Sequence, residues 1–241
     1  MPVPSAALVS KVPPGTSDLL TNVRGALHSV THDPEDASSW RVLFHQVHYV
    51  AEAIALGPDR GATQLALAFE GFVSDVASMP DQANPSVLQT MSQAVDFLGI
   101  LLEKPQGQAI SLAGPGSVLI VDDEPSALQL ISAAMQFVQL APTCAAAPSA
   151  GITAARGSRF DMIFLDVGLP EMNGFELCTK IRSLPGHDRT PIVFLTGMAT
   201  FQNRAKSSLS GGNDFIGKPF HLLELGVKAL IWIQRGRMGL T

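Results

Sequence analysis

The hydrophobic rhythm of the chain changes about halfway along. Up to about residue 105, apolar residues recur every three or four positions, the period of amphipathic helices. Beyond about residue 116, short apolar and β-branched runs alternate with helical stretches. Four helices are predicted in the first part. The first covers 16–31, capped by Thr16 or Ser17, and the second covers 33–56, opened by Asp33-Pro34. Gly57-Pro58 breaks the chain before a third helix over 59–79, with Leu65, Leu67, Ala68, Phe72 and Val76 on its apolar side. Asn84-Pro85 opens the fourth, which carries Val87, Leu88, Met91, Val95, Leu98 and Leu102. Short connections between helices of this length favour an all-α antiparallel four-helix bundle.

The second part reads as strands near 118–121, 142–146, 160–165, 191–195 and 214–216. Helices are predicted between and after them at 124–140, 149–156, 174–183, 200–209 and 220–234. This alternation predicts an α/β doubly wound sheet of five parallel strands, with its site at their carboxyl ends. The expected organisation is a loose tail over 1–15, a helical domain over 16–105, a Gly/Pro/Gln/Ser-rich linker over 106–116 and an α/β domain over 117–241.

The strand ends carry the chemistry. Val118-Leu119-Ile120-Val121 ends in Asp122-Asp123, Phe164-Leu165 in Asp166, Phe194-Leu195 in Thr196, and Phe215-Ile216-Gly217 in Lys218. Two or three carboxylates suffice for magnesium, a hard cation that keeps several of its waters. A carboxylate can attack a phosphoryl group once the charges are neutralised, and a lysine and a hydroxyl can hold the phosphoryl oxygens. Taken singly, each residue also fits a helix cap, a turn or a solvated loop. Asp123, Asp166, Thr196 and Lys218 follow one another at intervals of 43, 30 and 22 positions.

In that order and at those spacings, residues from about 116 onward resemble the receiver domain of bacterial two-component response regulators, a flavodoxin-like fold. The resemblance implies that Asp166 is the phosphoacceptor. Magnesium would be held by Asp122, Asp123, Asp166 and the Gly168 backbone carbonyl. Thr196 and Lys218 would contact the phosphoryl group, with Phe215 as the aromatic switch that turns inward after Thr196 moves. Gly168 and Met198 occupy the positions that tune the attacking water, and neither side chain orients water well, so slow self-dephosphorylation is expected.

The second helix shows a polar stripe of Arg41, His45, His48 and Glu52 beside an apolar face of Trp40, Leu43, Phe44, Val47, Val50, Ala51 and Ile54. The run Leu43-Phe44-His45-Gln46-Val47-His48, after His32-Asp33-Pro34-Glu35-Asp36, resembles the histidine phosphotransfer (HPt) domain of chemotaxis-type kinases. Leu65 to Glu70 is similar to the third helix of that family. His48 takes the place of a second phosphoacceptor. The family's lysine three residues later and glycine four residues later are Ala51 and Glu52 here, so the motif is degenerate. The bland reading makes His48 a solvated helix residue paired with Glu52.

Composition adds limits. At 241 residues and 46% hydrophobic, the chain can bury two cores. Residues 1–110 hold 11 Asp/Glu and 5 Lys/Arg, a net of −6, and 111–241 hold 10 and 11, a net of +1, which argues against a nucleic-acid surface on the helical half. Cys144 and Cys178 are expected reduced, and no signal peptide or membrane span is read, so a cytoplasmic location is expected. No nucleotide-binding glycine loop and no downstream DNA-binding helix-turn-helix are seen.

The expected function is therefore a phosphorelay protein of two-component signalling. A separate histidine kinase or HPt protein would be its phosphodonor, a protein of unknown identity its output partner, and a homodimer one form of its assembly. It is not expected to be an enzyme beyond self-phosphorylation from small donors and slow autodephosphorylation. One alternative is a docking or dimerisation adapter with a degenerate HPt domain. The other is an aspartate-nucleophile phosphatase of haloacid dehalogenase type, disfavoured because Gly168 stands where that family needs a second Asp.

Overall fold

The structure is a computed structural model that describes residues 16–103, 116–197 and 210–240. The expected tail, most of the linker, the 200–209 helix and Met198 lie outside these residues. Helices α1 (Thr16–His32), α2 (Ala37–Ala55), α3 (Arg60–Ser78) and α4 (Pro85–Leu102) occupy the first part. The starts of α3 and α4 are set by side chains that accept from otherwise unpaired amides of the first turn. Asp59 accepts from the Gly61 and Ala62 amides, and Asn84 from those of Ser86 and Val87.

The start of α2 departs from expectation. Asp33-Pro34 forms a turn ahead of the helix, and Asp36 is the cap, accepting from the Ser38 and Ser39 amides at 3.0 Å each. Trp40 fastens that turn by donating its indole N–H to the Pro34 carbonyl at 2.8 Å. Proline suits a first turn, but Asp36 followed by two serines makes the stronger cap. On α3 the buried side runs through Leu65, Phe69, Phe72, Val73 and Val76, whereas Leu67, expected inside, is 52% exposed. Each of the four helices packs on two others of the four: α1 and α3 both lie against α2 and α4.

The second part is a five-stranded parallel sheet in the order β2-β1-β3-β4-β5. Its strands are β1 (Ser117–Val121), β2 (Ala141–Ala145), β3 (Met162–Asp166), β4 (Ile192–Thr196) and β5 (Asp214–Gly217). Helices α5 (Pro125–Phe137), α6 (Pro148–Gly157) and α7 (Gly174–Arg182) lie between them, and α8 (Leu222–Arg237) follows β5. This is the flavodoxin-like order, doubly wound about its first strand. Strands β3 and β4 are buried at every residue, as expected of parallel strands covered on both faces. Edge strand β2 is mostly exposed.

Two apolar clusters form, but the sheet divides them, not the linker. One lies on the sheet face covered by α8 and by Ala127, Ile131 and Met135 of α5, and it continues without a break into α1–α4. The other lies across the sheet, among Leu119, Ile163, Phe194, Leu177 and Ile181. Helix α8 is the shared wall, packed against α3, α4 and α5. All eleven of its residues from Glu224 to Gln234 are buried, because a helix enclosed on every side has no solvent face.

Candidate functional site

The parallel strands bring four of the expected residues to one edge of the sheet. Asp122 follows the last residue of β1, Asp166 ends β3, Thr196 ends β4 and Lys218 follows β5. Register fixes them there: Asp166 lies beside Leu195, Thr196 beside Gly217, and the Lys218 amide donates to the Thr196 carbonyl at 2.7 Å. The Lys218 ammonium stands 2.8 Å from both Asp122 Oδ2 and Asp166 Oδ1. Asp122 Oδ1 accepts from the Glu124 amide at 3.0 Å, and Asp166 Oδ2 from the Gly168 amide at 2.7 Å.

Charge and burial compete in this cluster. Asp122 is fully buried, and burial pushes its carboxyl above the usual range against the pull of Lys218. Burial works against the Lys218 ammonium as well, yet hydrogen bonds to Asp122 and Asp166 outweigh it and hold the lysine above its ordinary value. One ammonium shared by two carboxylates gains more than either carboxylate does, so the lysine stays charged. Thr196 is 4% exposed, and Phe215 is half-buried against the cluster across the sheet.

The expected trio of carboxylates is only partly assembled. Asp123 is exposed, and Lys218 lies between Asp122 and Asp166, so among the described residues no three acidic, histidine or cysteine side chains stand ready to hold an ion. Asp122, Asp166 and the neighbouring Asp123 are nonetheless a hard, all-oxygen donor set that suits magnesium, with the ammonium in the position of a resident cation.

Gly174 is a residue whose role sequence reasoning did not assign. A Cβ there would collide with the Asp166 carbonyl oxygen, so only glycine lets α7 begin this close to the end of β3. Its place at the end of Leu169-Pro170-Glu171-Met172-Asn173-Gly174, ahead of a helix, was the available signal.

His48 is not brought to this cluster. Its Nδ1 is 2.7 Å from Glu70 Oε1, its Nε2 is 3.5 Å from Glu52 Oε1, and its ring stacks on Phe44 at 6.1 Å. The Glu70 hydrogen bond raises its pKa above the usual value, burial works against it, and the charges of Glu52 and Glu70 add smaller upward pulls. The solvated reading paired it with Glu52, but Glu70 on α3 is the closer partner. Ala51, at the place where the expected resemblance puts a lysine, is 1% exposed and part of the apolar core. Cys144 and Cys178 are both free thiols. Among the described residues no helix is long and apolar enough to cross a membrane.

Comparison with known proteins follows the same division of the chain. Residues 118–229 match the family model of the response regulator receiver domain. The probable transcriptional regulatory protein TcrX of Mycobacterium tuberculosis is 35% identical over 122 residues, covering 50% of this chain and 51% of TcrX. The signal transduction histidine-protein kinase BarA of Escherichia coli K12 is 33% identical over 104 residues, covering 43% of this chain and 11% of BarA. The chain spans about half or less of the length of these curated relatives. Among solved structures, the receiver domain of sensor histidine kinase PA1611 from Pseudomonas aeruginosa, with magnesium coordinated in its cleft, is 29% identical at a TM-score of 0.47. That match covers 50% of this chain and 99% of that one. With the parallel five-stranded order and the strand-end acids and lysine already in place, residues 118–229 belong to the response regulator receiver domain family of two-component signalling.

Proposed function

We propose that this receiver accepts a phosphoryl group on Asp166 from a separate histidine kinase or HPt protein. The observation that carries the reading is the Lys218 ammonium, 2.8 Å from both the Asp122 and Asp166 carboxylates at the carboxyl ends of parallel strands. Magnesium would be held by Asp122, Asp123, Asp166 and the Gly168 carbonyl, and when bound it would neutralise charge on the carboxylates and on incoming phosphoryl oxygens. Asp166 Oδ1 is the nucleophile. The Gly168 amide on Oδ2 keeps the other oxygen turned away, which fixes the orientation of the carboxylate. Lys218 moves its hydrogen bonds from carboxylate to phosphoryl oxygen, and Thr196 donates to a second one. Phe215 then takes the space left by Thr196, and the surface around β5 changes. Gly168 offers no side chain to orient water, so the acyl phosphate decays slowly.

Acetyl phosphate or beryllofluoride with magnesium should modify the wild-type chain once, and Asp166→Asn should abolish it. Stoichiometric modification of Asp166→Asn would overturn the assignment.

For the helical part, the reading is an antiparallel bundle of HPt ancestry that docks partners and does not relay phosphate. Two observations support it. His48 is held between two carboxylates that favour its protonated, non-nucleophilic form, and Ala51 leaves no room for the lysine of the motif. If phosphorylated receiver labels His48 rapidly, and His48→Gln removes the label, relay is the correct reading.

A further inference from the structure

The contact between the helical part and the receiver contains a polar seam. Along one face of α4, Ser86 and Thr90 donate to Glu224 Oε1 at 2.6 and 3.0 Å, and Gln93 donates to Asp214 Oδ2 at 3.0 Å. On α3, Gln64 donates to the Val138 carbonyl, and Gln234 of α8 donates to the Gly61 carbonyl. Ser86, Thr90, Asp214 and Glu224 are all buried. A buried polar group left without its partner is costly, so these bonds fix one register between the two parts.

Asp214 has an unusual position in this seam. Its Oδ1 accepts from the backbone N–H of Phe215 at 2.9 Å. Its Oδ2 accepts from Gln93 of α4, from the Lys228 ammonium at 3.0 Å and from the Trp232 indole at 3.2 Å. One carboxylate thus joins the strand of the switch aromatic to a helix of the other half. Because strand side chains alternate, Asp214 and Ile216 face α8 while Phe215 faces across the sheet. The strand is four residues long and ends one residue before Lys218. Any turn of Phe215 or retreat of Lys218 therefore acts on the backbone that positions Asp214.

We propose that Gln93 and Asp214 couple the phosphoryl site to the helical part. The docked α4 belongs to the state in which Lys218 bridges Asp122 and Asp166, and filling the site loosens α4. This rests on the receiver reading of Asp166, because the input is occupancy of that site. Coupling of this kind is reciprocal: whatever loosens α4 must also favour occupancy.

The test is hydrogen exchange on the full chain with magnesium, with and without beryllofluoride, for wild type and Gln93→Leu, with binding followed separately by fluorine NMR. Bound beryllofluoride should speed amide exchange across 86–97 by about fivefold or more in wild type. Gln93→Leu should exchange faster from the start, respond less and bind beryllofluoride more tightly. Bound beryllofluoride with unchanged or slower exchange in α4, or an equal response in Gln93→Leu, overturns the coupling and leaves the receiver reading intact. Absence of fluorine signal from wild type overturns both.

Discussion

The Lys228 ammonium lies 3.0 Å from Asp214 Oδ2, and the two side chains are 0% and 4% exposed. An ion pair so far from solvent stabilises only while both members remain, since the survivor of a single deletion is a buried, uncompensated charge. Lys228→Met and Asp214→Asn are each expected to cost about 3–5 kcal/mol, and the double variant well under their sum. Urea unfolding of the three variants measures this. Additive losses would show that the pair is not the coupled unit.

Lys218 occupies the ground between two carboxylates, so it competes with any cation for them. Lys218→Ala should therefore bind magnesium at least as tightly as wild type while losing most of its response to beryllofluoride. Calorimetric titration with magnesium and fluorine NMR with beryllofluoride separate the two effects. Weaker magnesium binding in the variant would contradict the competition.

His48 should titrate above the ordinary histidine value of about 6.5, mainly through its hydrogen bond to Glu70. The folded pKa lies above the unfolded one, so the pair's contribution to stability is complete below the unfolded pKa. It is lost as pH rises through the folded pKa. In an NMR titration, Glu70→Gln should lower the His48 midpoint more than Glu52→Gln does. The reverse order would make Glu52 the controlling partner.

Installing a phosphotransfer-type lysine and glycine beside His48 is expected to fail at one position. Ala51→Lys places an ammonium among apolar side chains and should lower stability by about 2–3 kcal/mol. Glu52→Gly concerns an exposed residue and should cost about 1 kcal/mol, chiefly through helix propensity. Thermal unfolding of both decides this. An Ala51→Lys variant as stable as wild type would mean the core opens there readily.

The strand-end cluster was legible as a gathering of residues because it sits on buried parallel strands, whose apolar runs mark their own ends. Asp122, Asp166, Thr196 and Lys218 are each the first polar residue after such a run. The helical part was legible as four helices but less so in detail. The pattern did not distinguish Asp33 from Asp36 as the cap, and it took Leu67 for core because apolar residues can face solvent singly. The seam was illegible for a different reason. Ser86, Thr90, Gln93, Glu224 and Lys228 look like solvent-face residues, and only the packing of α4 on α8 turns each toward the others. Glu70 was hidden likewise, its tie to His48 depending on how α2 meets α3.

The enclosure of α8 also bears on how freely this receiver could be exchanged for another. Receivers separated from their neighbours by a tether can be traded as cassettes, because the final helix answers only to its own sheet. Here α8, buried from Glu224 to Gln234, packs on the sheet and α5 on one side and on α3 and α4 on the other. A foreign receiver grafted after residue 116 would leave Ser86, Thr90 and Gln93 without Glu224 and Asp214, while this receiver cut loose would bare the buried face of α8. Along that helix the two halves share one buried wall, so a change on either side meets the other.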